Sequence, residues 1–148
     1  MPVKRILVSV IGGHKCDKKT ANLAETVGKI IAEEKAVLVC GGLGGVMEAA
    51  CKGAKEGGGV TIGIIPGEDK EDANEFVDIA ITTGMGYTRN TIVAGTADIV
   101  IAFPGKYGTL SEIGFALNAK KTVYGFGAWD IDGVKELKGP EALRRVLR

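Results

Sequence analysis

The sequence predicts an α/β protein built around a doubly wound, mainly parallel sheet with helices on both faces. Short β-branched runs alternate with amphipathic stretches along the 148 residues. Several of these runs are almost continuously apolar, which is typical of strands buried on both faces of a parallel sheet. Glycines gather directly after the predicted strands, where α/β sheets place their ligand-binding loops.

Six predicted strands and five predicted helices account for most of the chain. The strands are predicted at residues 6–11, 36–40, 60–65, 76–82, 99–103 and 122–126. The helices are predicted at residues 17–34, 45–56, 87–96, 109–119 and 141–147. The polar connection at 67–75 is predicted either as a short helix or as a loop over the sheet edge. Because this βαβαβ order is Rossmann-like, we expect residues 1–148 to form a single nucleotide-binding domain.

The charge balance argues against nucleic acid as a partner. The chain carries 19 basic and 18 acidic residues, a net charge of +1, and so lacks the positive field of polyanion-binding proteins. No apolar run approaches the roughly 20 residues that a membrane helix needs, so no membrane association is expected. The apolar run near the start is too short for a signal peptide, which predicts a cytoplasmic protein.

The cysteine pattern does not predict a metal site. Cys16, Cys40 and Cys51 form no C-x-x-C pair, and His14 is the only histidine. Cys40 ends an apolar run and Cys51 lies in a helical pattern. Both are therefore predicted to be buried, reduced thiols.

Three glycine clusters are the first candidates for ligand binding. The chain has 23 glycines, about twice the average usage. Ligands of open α/β sheets bind beyond the carboxyl ends of the strands, where glycines let the backbone approach a phosphate closely. Tight turns alone are the alternative interpretation of each glycine. The clusters are Gly12 and Gly13, then Gly41, Gly42, Gly44 and Gly45, and finally Gly105 and Gly108.

The second cluster fails the dinucleotide-binding fingerprint. Counted from Gly42, the sixth position of a G-x-G-x-x-G motif is occupied by Met47. Pro66 and Gly67 follow the next strand, where that motif places an acidic residue for the ribose hydroxyls. An NAD-dependent enzyme is therefore not favoured.

The segment from Phe103 to Glu112 joins a buried strand to a helix and carries the densest set of candidate residues. Thr109 and Glu112 fit a T-x-x-E capping box, which would make Glu112 a stabilising residue. Alternatively, a carboxylate in the first helical turn faces the ligand crevice and polarises a hydroxyl or a water. Both roles are compatible with the sequence. The loop itself contributes Pro104, Gly105, Lys106, Tyr107 and Gly108.

Arg89 is a further candidate, because its position opposes the helix dipole. It lies at the start of a predicted helix, where a cation is unfavourable. Binding of a phosphate or carboxylate by its guanidinium fork accounts for that placement. An ordinary surface arginine is the alternative.

Taken together, three motifs resemble one superfamily. They read Gly-Gly-x-Gly-Gly-Val-Met-Glu-Ala from Gly41, Gly-Met-x-x-x-Arg from Gly84, and Pro-Gly-x-x-Gly-Thr-x-x-Glu from Pro104. This combination is similar to that of the cytokinin-activating LOG phosphoribohydrolases, often called lysine decarboxylases, and of the molybdenum-cofactor carrier proteins. The resemblance extends from about Arg5 to about Phe126.

The resemblance implies a Rossmann-like fold, a homodimer or homotetramer, and a ligand cleft near the third motif. By motif matching, Arg89 and Glu112 are the catalytic pair of a LOG-like enzyme. Such an enzyme hydrolyses the N-glycosidic bond of a nucleoside 5′-monophosphate to free base and ribose 5-phosphate. The ligand-binding set comprises the glycines of the three clusters with Met85, Asn90, Pro104, Lys106, Tyr107 and Thr109.

Two positions favour binding over hydrolysis. LOG enzymes typically follow the arginine with lysine, whereas Asn90 follows Arg89 here, and Lys106 stands where their loop has a glycine. We therefore expect a carrier-like binding protein for a nucleotide or molybdopterin-type ligand, with the phosphoribohydrolase as the alternative. The fold requires no cofactor, although a nucleotide or molybdenum cofactor is a candidate ligand. No lysine stands in a context that indicates pyridoxal phosphate, so lysine decarboxylation is not expected.

The oligomer surface is a third possible basis of function. Tyr87, Ile92 and Val93 lie on the predicted helix that follows the fourth strand. They are candidates for a contact between copies of the chain, with burial in the monomer core as the alternative.

Overall fold

The computed structural model describes residues 4–148, and its described part contains one seven-stranded, all-parallel sheet. The strands are Leu7–Ile11 (β1), Val37–Cys40 (β2), Thr61–Ile65 (β3), Ile79–Thr82 (β4), Ile99–Ala102 (β5), Thr122–Gly125 (β6) and Val134–Glu136 (β7). They lie in the order β4-β3-β2-β1-β5-β6-β7. The chain thus builds outward from β1 in one direction and then returns to add β5 on its other side.

Helices cover both faces of the sheet, as predicted. They are Lys18–Glu33 (α1), Val46–Glu56 (α2), Asn90–Thr96 (α3), Tyr107–Asn118 (α4) and Pro140–Leu147 (α5). One core layer packs α1, α2 and α5 against side chains such as Val8 and Leu38, and the other packs α3 and α4 against side chains such as Val39 and Val100. The alternation of neighbouring strand residues between the two layers follows from the period of two in a β-strand.

The first two helices pack unusually closely, and glycine permits it. A side chain at Gly28 in α1 would overlap the carbonyl oxygen of Ala50, and one at Gly53 in α2 would overlap that of Glu25. The start of α1 is fixed by Asp17, whose carboxylate accepts a 2.8 Å hydrogen bond from the Thr20 amide. The position of α1 in turn supports α2 and the glycine loop that precedes it.

The structure differs from the predicted elements at three places. The predicted strand at 76–82 begins only at Ile79. Just before it, the Asp78 carboxylate accepts hydrogen bonds from the Thr61 amide and the Lys55 ammonium. The predicted helix at 87–96 divides into a 3₁₀ turn, Gly86–Arg89, and α3. Strand β7 was not predicted, because it has three residues and two of them are charged.

The acidic connection 67–75 contains a single 3₁₀ turn, Lys70–Asp72, and is otherwise irregular. None of the helices in the described residues has the length and apolar character needed to cross a bilayer.

Candidate functional site

The candidate site lies at the carboxyl edge of the sheet, where the strand order reverses between β1 and β5. Ligand crevices of doubly wound sheets form at such switch points. The loops after β1, β2 and β5 meet there and are hydrogen-bonded through Gly13. Its amide donates to the Pro104 carbonyl at 2.9 Å, and its carbonyl accepts from the Val46 amide at 3.0 Å. Hydrogen bonds therefore join the loops of the three predicted glycine clusters into one framework.

Packing within the protein requires glycine at some positions of this framework and not at others. A side chain at Gly105 would overlap Thr109 Oγ1 and lie 2.9 Å from the Gly13 nitrogen, so the packing of the protein itself excludes it. A methyl group added at Gly108 would have Asn90 Nδ2 as its nearest neighbour, at an ordinary 3.8 Å. Internal packing thus explains Gly105 but leaves open space at Gly108.

Asn74 holds the second glycine loop in place and was not found from the sequence. Its amide donates to the Gly42 carbonyl at 2.8 Å, and its side-chain Nδ2 donates to the Leu43 carbonyl at 2.9 Å. Gly41 and Gly42 are buried beneath these contacts, whereas Gly44 and Gly45 are half-buried. In the sequence, Asn74 is a single asparagine within a polar connection. Most side chains in such connections face solvent, so Asn74 did not stand out as a residue that supports a loop.

Arg89 is buried, with 6% of its surface exposed. Its Nε donates to the Ile64 carbonyl at 2.9 Å, Nη2 reaches the Gly41 carbonyl at 3.4 Å, and Nη1 donates to Asn90 Oδ1. Carbonyls at the ends of two neighbouring strands therefore surround the guanidinium, which explains a cation at a helix start. Burial lowers the pKa of Arg89, and the nearby Glu112 carboxylate opposes that shift.

Asn90 connects the second motif to the third. Its Oδ1 accepts from Arg89, while Nδ2 lies 3.4 Å from Ser111 Oγ. Ser111 donates in turn to the Gly108 carbonyl at 2.6 Å. A continuous polar chain thus runs from the buried arginine to the first turn of α4, which explains the burial of Asn90.

The predicted capping box at Thr109 and Glu112 is wrong. Helix α4 begins at Tyr107, and its N-cap residue, Lys106, makes no side-chain capping bond. Thr109 and Glu112 consequently lie inside the helix, and both are buried. The T-x-x-E pattern was misleading because the helix begins two residues before Thr109. Thr109 is therefore a helical residue and not the N-cap, and Glu112 lies on a buried face of α4.

Glu112 is a buried carboxyl group close to Arg89. Burial raises its pKa to about 8, and the charge of Arg89 opposes this increase. Among the described residues no ion pair within 4.0 Å joins the two groups. Arg89 therefore lowers the pKa of Glu112 through its electrostatic field and not through an ion pair. With a pKa of about 8, the carboxyl group is mostly protonated at neutral pH.

The start of α4 offers an uncapped helix N-terminus to the crevice. The amides of Tyr107 and Gly108 lie in the first turn, where an α-helix provides no internal acceptor. Lys106 and Tyr107 are exposed around it, as are Pro104 and, from the second motif, Met85. Trp129, to which the sequence assigned no role, donates its indole N–H to the Lys106 carbonyl at 3.2 Å.

All three cysteines are unpaired, and Cys40 and Cys51 are buried, which confirms the prediction for these two thiols. Cys16 is half-buried and His14 is exposed. Within residues 4–148, no three side chains of histidine, cysteine, aspartate or glutamate gather as a metal-binding group.

Comparison with known proteins identifies the family. The family model described as the SLOG cluster4 family matches residues 5–146. The chain belongs to the SLOG cluster4 family. An uncharacterised protein of Archaeoglobus fulgidus is 47% identical over 121 residues, which cover 82% of this chain and 80% of the relative. The predicted superfamily resemblance is thereby confirmed.

Two solved structures of other proteins have the same fold as this chain. The molybdenum cofactor binding protein of Rippkaea orientalis superposes with a TM-score of 0.92 at 34% identity, covering 99% of this chain and 97% of that one. The Moco carrier protein of Chlamydomonas reinhardtii gives 0.87 at 33% identity, covering 97% and 96%. The neighbours confirm the Rossmann-like fold.

A probable cytokinin riboside 5′-monophosphate phosphoribohydrolase of Oryza sativa is 33% identical over 111 residues. That alignment covers 72% of this chain, and the chain spans about half the length of the plant protein, 49%.

Proposed function

We propose that this SLOG cluster4 protein, as one domain over residues 1–148, is a carrier-like binding protein for a phosphorylated small molecule of the nucleotide or molybdopterin type. The open first turn of α4 carries this proposal. It combines amides without internal acceptors, the positive end of a helix dipole, the exposed Lys106 side chain and the space at Gly108. The similarity to a molybdenum cofactor binding protein and a Moco carrier protein supports it.

The state of Glu112 and Arg89 favours binding over hydrolysis. A carboxyl group with a pKa of about 8 does not supply the negative charge that stabilises an oxocarbenium-like transition state at neutral pH. The guanidinium of Arg89 is engaged by two backbone carbonyls and Asn90, so it organises the loops instead of clamping a phosphate. In a carrier, Glu112 donates a hydrogen bond to a ligand acceptor.

A phosphoribohydrolase is the second candidate, in which Glu112 has a different role. A neutral carboxyl group at pH 7 can act as a general acid on the departing base. The plant relative supports this alternative.

Native mass spectrometry tests the binding function directly. We expect the protein to retain a phosphorylated ligand, or to bind one from a panel of AMP, GMP and molybdenum cofactor. Incubation with AMP, followed by chromatography for free adenine, distinguishes the carrier from the hydrolase. Absence of any bound phosphorylated ligand would contradict the carrier, whereas adenine release that is lost in folded Glu112→Gln would establish the hydrolase.

Gly108→Ala is expected to weaken ligand binding at least tenfold without destabilising the fold. The added methyl group has space within the protein but occupies the volume through which a phosphate approaches the α4 amides. Alanine is favoured over glycine in helices by roughly 0.8–1.0 kcal/mol in the interior, so stability should not fall. Titration calorimetry with the panel ligand and thermal melting measure the two effects.

Gly114→Ala is the matched control, because Gly114 also lies in α4 with open space around it. It is expected to leave affinity unchanged. Equal binding by both variants would show that the ligand does not lie against Gly108.

We further propose that the protein is a homodimer or homotetramer, with an apolar surface on β4 as its contact. Ile79 and Ile81 share one face of this edge strand and are 49% and 45% exposed. Their register partners, Ile62 and Ile64, pack in the α3–α4 core layer. Helices α3 and α4 pack mainly against β1, β5 and β6, so this face of β4 lies beyond the α3–α4 layer. Of the residues predicted for this contact, Tyr87 is exposed, Ile92 is half-buried and Val93 lies in the core.

Ile81→Lys is expected to shift the protein to monomer in sedimentation velocity, because an ammonium buried in an apolar contact lacks hydration. Thr82→Lys places the same charge on the opposite face of β4 and serves as the control. An unchanged sedimentation coefficient for Ile81→Lys would remove β4 from the contact.

A further inference from the structure

Cys40 and Cys51 form a thiol pair directly beneath the second glycine loop. Their Sγ atoms lie 3.5 Å apart, and both side chains are fully buried. Cys40 is the last residue of β2, and Cys51 lies in α2. The pair therefore brackets the loop that contains Gly41 to Gly45, with one sulfur on the element before it and one on the element after it.

The Cys40 sulfur is also a hydrogen-bond acceptor for that loop. The Gly42 amide donates to it at 3.3 Å. The contact with the Cys51 sulfur, the hydrogen bond from the Gly42 amide and the charge of Arg89 lower the pKa of Cys40, and burial opposes this shift. The contact with Cys40 and burial raise the pKa of Cys51. Because the Gly42 amide donates to the Cys40 sulfur and so stabilises a thiolate there, Cys40 is assigned as the nucleophile of the pair and Cys51 as the resolving thiol.

We propose that Cys40 and Cys51 form a reversible disulfide under peroxide oxidation and that its closure rearranges the glycine loop. The meaning of this change for ligand binding rests on the proposed function, whereas the thiol chemistry does not. Cys16 is a separate thiol, half-buried just before the start of α1.

The reaction requires hydrogen peroxide as the oxidant. The Cys40 thiolate attacks one peroxide oxygen, the O–O bond breaks, and the departing hydroxide takes up a proton to become water. This leaves a sulfenic acid on Cys40. The Cys51 sulfur then attacks Cys40 as its S–O bond breaks, its proton leaves with the hydroxyl group as a second water, and the disulfide forms. Two thiols and one peroxide thus give one disulfide and two waters.

Closure changes the loop because the sulfurs must move closer. A disulfide bond length is about 2.05 Å, so a 3.5 Å contact shortens by about 1.5 Å. Any part of this shortening that side-chain rotation does not supply brings the end of β2 and the first turns of α2 closer together, and the Gly42 amide loses its present geometry with Cys40. Since the Val46 amide is bonded to Gly13, this movement also strains the contact between the first and second glycine loops.

Peptide mass spectrometry tests the pair on the intact protein. No lysine or arginine lies between Lys35 and Lys52, so trypsin releases both cysteines in one peptide, residues 36–52. After peroxide treatment we expect this peptide to lose two hydrogens and to resist alkylation until dithiothreitol is added. The same result is expected in Cys16→Ser, which retains the pair. Alkylation of both cysteines after peroxide exposure that fully oxidises Cys16 would overturn the proposal.

Hydrogen exchange tests the effect on the loop. Amides of residues 41–46 are expected to exchange several-fold faster in the oxidised protein and to return to the original rate after reduction. Cys51→Ser and Cys40→Ser, each checked for native circular dichroism, are expected to show no reversible change in exchange. A disulfide that forms without altering exchange in this loop would overturn the proposed rearrangement. None of these outcomes depends on whether a nucleotide binds.

Discussion

Arg89→Ala is expected to lower the free energy of unfolding by about 3 kcal/mol. The substitution removes the donors to the Ile64 and Gly41 carbonyls and to Asn90 Oδ1. Hydrogen bonds from a charged donor each contribute about 1.5–3 kcal/mol, and buried acceptors left without partners add a penalty, but the substitution also removes the cost of burying the guanidinium, so the net loss is smaller than the sum over the three bonds. The variant also loses the positive charge that lowers the pKa of Glu112. Urea denaturation followed by circular dichroism measures the loss.

Two further variants separate the geometry of Arg89 from its charge. Arg89→Lys keeps the cation but not the planar fork, so an intermediate loss is expected. Arg145→Ala removes an exposed arginine from α5 and should change stability by no more than about 0.5 kcal/mol. If Arg89→Ala were as stable as Arg145→Ala, the guanidinium would not organise the strand ends.

Stability is expected to fall as the pH rises from about 5 to about 8, and Glu112→Gln should remove most of this fall. The ordinary pKa of this carboxyl group is 4.5, and in the folded protein it is about 8. Between these values the folded state binds the proton more tightly than the unfolded state, so raising the pH favours unfolding. At about 1.4 kcal/mol per pKa unit, the shift corresponds to a few kcal/mol.

The comparison of the two pH profiles isolates Glu112 from other carboxylates. Asp17 and Asp78 have lowered pKa values, so their contributions are lost only as the pH falls below the ordinary carboxylate range. Glutamine keeps the size of Glu112 and its hydrogen-bonding capacity but does not titrate. The free energy of unfolding is measured by urea denaturation at several pH values. If it changed with pH in the same way in wild type and Glu112→Gln, the pKa of Glu112 would not be raised in the folded protein.

The neutral form of Glu112 also bears on function. A carrier whose ligand accepts a hydrogen bond from Glu112 should bind more weakly above pH 8, where the carboxyl group loses its proton. Both the stability and the binding profile therefore depend on one group that the sequence singled out for a different reason.

The fold was predictable because its signals are local. Apolar runs and helical spacing indicated six of the seven strands and all five helices. Glycine clusters after strands indicated which edge of the sheet holds the site. The missed strand β7 has too few apolar residues to stand out, and it forms only by pairing with β6.

The candidate site was predictable in its members but not in their contacts. The sequence named Arg89, Asn90 and Glu112, and the structure places all three in one buried cluster. Of the two roles that it gave to Glu112, the helix cap was wrong, because the pattern of Thr109 and Glu112 does not reveal where the helix begins. Asn74 was missed, since its contacts with the second glycine loop join residues more than 30 positions apart.

By itself, the sequence determined the parallel α/β architecture, the superfamily and the three glycine loops, because periodicity and motif spacing are properties of neighbouring residues. Only the tertiary structure decided that Arg89 binds strand-end carbonyls, that Glu112 is a buried carboxyl group with a raised pKa, and that Cys40 lies against Cys51. Burial of a side chain and the electrostatic effect of its neighbours depend on distances between segments that are remote in the chain. The glycine loops were first evidence for a phosphate site, but packing requires Gly105, whereas Gly108 leaves space for a ligand.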